Sequence, residues 1–264
     1  INPTPNVVQP PNQQLCHGGQ TAPVNFSGSV AGSAFTWTNT APASIGIPAS
    51  GTGNMPSYTV YSNGSSAATA GILVRANANG CQGPAKTFSI TISTIPSVAQ
   101  PANQALCNGA TTNAVAFSGT LANISSYQWT NNNPSIGLAA SGAGNLPAFT
   151  AVNNGNTPIT ATITVTPQTA NCPGVPKTFT ITVHPTPAVN ASNDMNVCLG
   201  KPVQLNATGA DIYNWSPATG LSCTNCPNPT VTPPANVKYI VRGQSNFGCY
   251  AFDTVALTVI RPFQ

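Results

Sequence analysis

The chain has 264 residues, of which 41% are hydrophobic and only 4% charged, with a formal net charge of +4. Ordinary globular proteins carry about 25% charged residues; here there is no Glu, and the acids are Asp194, Asp211 and Asp253. This balance excludes charge-driven disorder, and seven Lys and Arg scattered along the chain exclude the basic stripe of a nucleic-acid binder.

In chain order, a first unit (1–95) runs from a Pro-rich start through Cys16, His17 and Phe26 to Trp37, then Gly51-x-Gly53-Asn54. It closes with two alternating strands, Ala70, Ile72, Val74 and Phe88, Ile90, Ile92, with Cys81 between them. A second unit (96–186) repeats it at an offset of 91, as from Cys16 to Cys107, Phe26 to Phe117, Gly51 to Gly142 and Cys81 to Cys172. Its strands alternate Ile159, Ala161, Ile163, Val165 with Thr160, Thr162, Thr164, Thr166, and Phe179, Ile181, Val183 with Thr178, Thr180, Thr182. A third, diverged unit (187–264) keeps Cys198, Val203, Leu205, Ala207, Trp215 and Cys249, with late strands through Val237, Tyr239, Val241 and Val255, Leu257, Val259. The boundaries fall in Thr94-Ile95-Pro96 and His184-Pro185-Thr186-Pro187, where Pro favours a stiff extended linker. The Pro-rich start and a last strand running into Arg261-Pro262 read as cuts through a longer chain.

Period-two alternation marks strands with one buried and one wet face. Thr suits the wet face because its branched Cβ fits strand sterics. Helical periodicity of useful length is absent, and no apolar run approaches the 18 or more residues of a membrane helix. The predicted fold is therefore all-β: three tandem immunoglobulin-like antiparallel sandwiches in an elongated row, about seven short strands each. One tryptophan per unit, Trp37, Trp129 and Trp215, is expected in the core between the sheets.

Eight cysteines form an even set. Cys16 and Cys81 are spaced as Cys107 and Cys172 are, so the spacing predicts one disulfide inside each unit, with Cys198 and Cys249 as the third pair. Each bridge would close a loop worth about 4 kcal/mol. Cys223 and Cys226 remain to close a tight local loop. A four-thiolate zinc site from Cys198, Cys223, Cys226 and Cys249 is a competing reading, but structural zinc favours two close pairs and one is present. A redox Cys-x-x-Cys needs a helix N-terminus and a βαβ pattern, which the sequence lacks. Disulfides imply an oxidising, extracellular compartment.

Chemistry is sparse. The first two units hold no carboxylate, which removes paired-acid glycoside hydrolysis and an acid to orient a catalytic His. His17 has Asn108 at its counterpart, and His184 reads as a linker residue. Asp194 is expected in a turn with Asn193, Asp253 just before the last strand; a calcium site would need folding to gather the three acids. The Gly-x-Gly-Asn stretches read as turns using positive φ, since no strand-to-helix context surrounds them. No catalytic residue, metal or cofactor is expected.

Three stretches resemble a known family: Leu-Cys-Asn-Gly (106–109), Trp-Thr-Asn-Asn-Asn-Pro-Ser-Ile-Gly-Leu-Ala-Ala-Ser-Gly (129–142) and Lys-Thr-Phe-Thr-Ile-Thr-Val (177–183). In the third unit Tyr-Asn-Trp-Ser-Pro (213–217), Gly-Leu-Ser-Cys-Thr-Asn-Cys-Pro-Asn-Pro (220–229) and Gly-Cys-Tyr-Ala-Phe-Asp-Thr (248–254) resemble a related module. Together they resemble the PKD-like, immunoglobulin-like repeats of very large Bacteroidota surface proteins, such as the SprB-type gliding adhesin exported by type IX secretion. The Trp-Asp-Phe-Gly-Asp-Gly signature of true PKD domains is missing. The resemblance implies a non-catalytic spacer or adhesive segment at the cell surface. Its partners would be neighbouring repeats and a surface polysaccharide or other extracellular surface, with no nucleic acid and no membrane insertion. The rival readings are a carbohydrate-binding module, which needs exposed Trp or Tyr rings, and a filament subunit, which needs end-to-end contacts between chains.

Overall fold

The computed structural model describes residues 3–62, 64 and 66–261; Pro262 lies outside them. Apart from 3-10 turns at Ala43–Ile45 and Pro134–Ile136, its regular structure is β. The first unit contains β1 (Gln13–Cys16), β2 (Ala34–Asn39), β3 (Ser50–Thr52), β4 (Ala68–Ala78), β5 (Cys81–Gln82) and β6 (Lys86–Ser93). They form one sheet in the order β1-β6-β4-β2-β3, with β5 folded back on β4. Pairing is antiparallel except at β1, which runs parallel to β6 and brings Cys16 beside Ser93.

The second unit copies this sheet with β7 (Gln104–Cys107), β8 (Ser126–Asn131), β9 (Ser141–Ala143), β10 (Ile159–Gln168) and β11 (Lys177–His184), ordered β7-β11-β10-β8-β9. The opposing layer is built from single bridges: Val7–Gly28, Gln20–Thr59 and Val24–Met55 in the first unit, and Val98–Gly119, Thr111–Thr150 and Val115–Leu146 in the second. The third unit holds β12 (Asn190–Ala191), β13 (Met195–Cys198), β14 (Val203–Gln204), β15 (Ala207–Thr208), β16 (Ile212–Ser216), β17 (Thr230–Val231), β18 (Val237–Gln244) and β19 (Tyr250–Ile260). Its main sheet is β13-β19-β18-β16, opposed by the short pairs β12-β15 and β14-β17.

Three separate apolar cores lie between these layers. In the first, Ile72, Val74, Phe88, Ile90 and Ile92 of the sheet meet Val24, Phe26, Met55 and Val60 of the opposing layer, with Ile45 and Ile47 from the 3-10 turn and the residues after it. The second and third cores centre on Ile163, Phe179 and Ile181, and on Trp215, Tyr239 and Leu257. The wet face of the second sheet is threonine: Thr160 and Thr182 face each other across β10 and β11 with their hydroxyls 2.9 Å apart. Each parallel strand is preceded by a side-chain acceptor that extends its ladder. Asn12 Oδ1 accepts from Ser89 N–H, Asn103 Oδ1 from Thr180 N–H, and Asp194 Oδ1 from Ala256 N–H.

The three tryptophans are buried, at 3%, 5% and 1% exposure in chain order. Trp37 lies directly opposite Gly51, and Trp129 opposite Gly142. A Cβ at either glycine would collide with the facing indole ring. The motif expected to be a pair of positive-φ turn glycines thus has three distinct parts. The first glycine makes room for the indole, and only the second takes positive φ (68° at Gly53, 76° at Gly144). The Asn hooks the opposing layer: Asn54 Oδ1 accepts from Phe26 N–H, and Asn145 Oδ1 from Phe117 N–H, both at 3.0 Å. In the third unit a loop closed by the Cys223–Cys226 disulfide stands at this edge: Trp215 donates its N–H to Thr224 O (2.7 Å) and its indole Nε1–H to Cys226 O (3.0 Å).

Candidate functional site: the bridged junctions and the third sheet face

The pairing of the remaining cysteines corrects the expectation of one bridge per unit. Cys16 bonds Cys172, and Cys107 bonds Cys249, with Cα atoms 5.8 and 5.5 Å apart; Cys81 and Cys198 are free and exposed. Each bridge therefore joins one unit to the next. The reason is strand geometry. Cys16 ends β1 beside the last residue of β6, at the pole where the chain leaves the unit. Cys81 sits in the β4–β5 hairpin, beyond the opposite end of β6. Along the ladder from Ser93 to Ala78, which pairs with Cys81, the two cysteines stand about 35 Å apart at about 3.3 Å per residue, whereas a disulfide needs Cα atoms within about 7 Å. The hairpin of the following unit is what comes within reach.

The junctions share more than the bond. His17 N–H donates to Ser93 O, Asn108 N–H to His184 O, and Leu199 N–H to Ile260 O, so each strand-end cysteine is followed by the same backbone clasp. His17 Nδ1 accepts from Ser62 N–H at 3.1 Å, and Asn108 Oδ1 accepts from Asn153 N–H at 2.8 Å. A side-chain acceptor at that place is what both residues supply, which accounts for the exchange of His for Asn. His184 is not in a linker: it is the last residue of β11, and its ring stacks on Phe247 of the third unit with centroids 4.0 Å apart. Cys16 Sγ also lies 3.5 Å from Asn171 O across the first junction.

The three acids are not gathered. Asp211 Oδ2 accepts from Asn246 N–H. Asp253 lies inside β19 and not before it, its carboxylate accepting from Ala191 and Thr254 N–H groups. Asp194 makes the ladder bond described above in place of a turn with Asn193. Among the described residues no group of three or more His, Cys, Asp or Glu side chains is placed to hold a metal ion. The four cysteines of the competing zinc reading are divided between two disulfides and one exposed thiol.

A second feature escaped the sequence reading. On the outer face of the third sheet, Ile212, Ile240, Tyr250 and Phe252 are all exposed. Tyr250 and Phe252 meet edge to face at 5.6 Å, and the Arg242 guanidinium lies 4.4 Å from the centre of the Tyr250 ring. Tyr250 directly follows the bridged Cys249, so this face adjoins the second junction. The signal was present in the phase of β19: Tyr250 and Phe252 fall opposite to Val255 and Leu257, which are buried. The equivalent face of the second unit presents threonines.

The chain is thus an elongated row of tandem Ig-like β-sandwiches. Among the described residues no helix is long and apolar enough to cross a membrane. No protein-family model matches the chain, and no curated protein matches it. Among solved structures, it is similar to the Dpr2 Ig1-Ig2 complex with DIP-Theta Ig1-Ig3, at 12% identity over 98% of this chain and 100% of that one, TM-score 0.43. It is similar to mouse Cadherin-23 EC22-24 at 10% identity over 99% and 100%, TM-score 0.36. It is also similar to the N-terminal eight Ig domains of Down Syndrome Cell Adhesion Molecule isoform 1.30.30, at 12% identity over 98% of this chain and 37% of that one, TM-score 0.42.

Proposed function

We propose that this chain is a structural and adhesive repeat segment of a large bacterial cell-surface protein, acting outside the cell as a semi-rigid spacer in surface attachment or gliding motility. One observation carries the reading: each of two disulfides spans a junction, so neighbouring sandwiches are held by a peptide link and a second covalent link. Two tethers at one interface restrict bending far more than one. With domains divided near residues 95 and 186, and about 35–40 Å per sandwich from strand length, the row reaches on the order of 110 Å. A surface nearly free of charge makes that length insensitive to salt. The motifs at 106–109, 129–142 and 177–183 support a Bacteroidota adhesin exported by type IX secretion as the parent protein. Small-angle X-ray scattering of the oxidised chain tests the spacer: a maximum dimension on the order of 110 Å is expected, and a compact profile overturns it.

A second reading, contact with a surface polysaccharide, is favoured by the exposed Tyr250–Phe252 pair with Arg242. The buried tryptophans offer no such platform. Flat aromatic faces beside a cation suit the apolar face and hydroxyl rim of a sugar ring. Binding on a glycan array that is lost in Tyr250→Ala and Phe252→Ala, and kept in Thr162→Ala, is the expected result; no binding, or binding indifferent to both aromatic changes, removes this reading.

A further inference from the structure

The two free thiols occupy opposite poles of the row. Cys198 ends β13 opposite Ile260, as Cys16 ends β1 opposite Ser93 and Cys107 ends β7 opposite His184. Cys81 stands in the late hairpin, at the place Cys172 and Cys249 hold in the two following units. Both receiving cysteines that are bridged are buried, while Cys81 is exposed. At the pole of Cys198 the apolar side chains of Leu199 and Ile260 stand 42% and 48% exposed. The residue equivalent to Ile260 at the second junction is His184, which Phe247 of the next unit covers. The pole of the third unit thus carries the strand-end cysteine, the backbone clasp and uncovered apolar side chains: the half of a junction that faces forward. The hairpin of the first unit carries the half that faces back.

We propose that Cys198 and Cys81 are the two halves of a further junction bridge, so that the Cys198 of one copy bonds the Cys81 of a second copy standing end to end with it and extends the row covalently. The same geometry that sets Cys16 on Cys172 and Cys107 on Cys249 selects this pairing over symmetric ones. Two strand-end poles placed face to face lack a receiving hairpin, and two hairpins lack a strand end. The oxidant is a small disulfide such as oxidised glutathione. One protein thiolate attacks it and releases one glutathione thiol; the second protein thiolate then displaces the other. Two protein thiols are oxidised to one disulfide, and one glutathione disulfide is reduced to two thiols. This continuation depends on the domains standing end to end, yet its test reads which sulfurs join and not the shape of the particle, so the spacer reading and the continuation fail separately.

The test mixes full-length Cys81→Ser with full-length Cys198→Ser in a glutathione redox buffer, with circular dichroism confirming that both are folded. Non-reducing electrophoresis and peptide mapping identify the linked cysteines. The expected product is a heterodimer joined Cys198–Cys81, in about tenfold excess over either symmetric dimer, because docking raises the effective concentration of the matched pair. A second arm joins two copies of the chain in one polypeptide. There the Cys198 of the first half closes on the Cys81 of the second, even at dilutions where separate copies stay apart, which distinguishes a following domain of the same polypeptide from a separate molecule as the source of the partner. The heterodimer, or closure in the tandem chain alone, supports the bridge. Glutathione adducts alone, or symmetric Cys198–Cys198 and Cys81–Cys81 dimers at statistical yield, in both arms overturn it.

Discussion

The interior of a sandwich and the junction between sandwiches are held by different chemistry. Neither cysteine of the first unit bonds within it, so its two layers stay together through Phe88, Ile72, Ile90 and their neighbours. At each junction a disulfide ties one unit to the next. A domain that folds on its core alone can leave its cysteines at its poles, where they serve its neighbours. The third unit departs from this division: its local Cys223–Cys226 loop supports Trp215, a task that β3 and β9 perform without sulfur.

The comparison breaks most visibly in the core. Phe179→Ala removes a fully enclosed ring and should cost about 3–5 kcal/mol, melting the second sandwich first; denaturant unfolding followed by Trp129 fluorescence measures it. Gly142→Ala drives a methyl group into the Trp129 indole and should cost about 1–3 kcal/mol, read in the same assay. Cys172→Ser opens the first junction without touching either core. It should lower the unfolding midpoints of both the first and the second sandwich, because with either one folded the bridge closes a loop in the other, and it should broaden the distribution of particle lengths in scattering. A bridge closed within the second unit would lower the second midpoint alone. The smallest effect concerns Tyr239, whose hydroxyl donates to Thr219 O at 2.6 Å and whose burial raises its pKa above the ordinary tyrosine value. The neutral phenol is favoured in the folded state, so this contribution is intact below about pH 10 and is lost as the pH rises through the folded value. The third sandwich should therefore weaken in strong alkali, and Tyr239→Phe should flatten that decline in a pH series of thermal melts.

Strand alternation made the fold legible, because burial on one face leaves a period of two in residues such as Ile163, Val165 and Phe179. The role of Gly51 was not legible, since a glycine that seats an indole reads the same as one that turns the chain. The bridges depart from the spacing for a deeper reason. When every unit offers one early and one late cysteine, equal spacing is satisfied by pairing within units and by pairing between them. Only the parallel course of β1 along β6, which carries Cys16 to the far pole, separates the two. Tyr250 and Phe252 stand in the outward phase of β19, where burial leaves no period to mark them.

The most direct test is disulfide mapping of the oxidised chain after alkylation of its free thiols. The account predicts linked peptides Cys16–Cys172, Cys107–Cys249 and Cys223–Cys226, with alkylation at Cys81 and Cys198. Recovery of Cys16–Cys81 and Cys107–Cys172 in their place would contradict it.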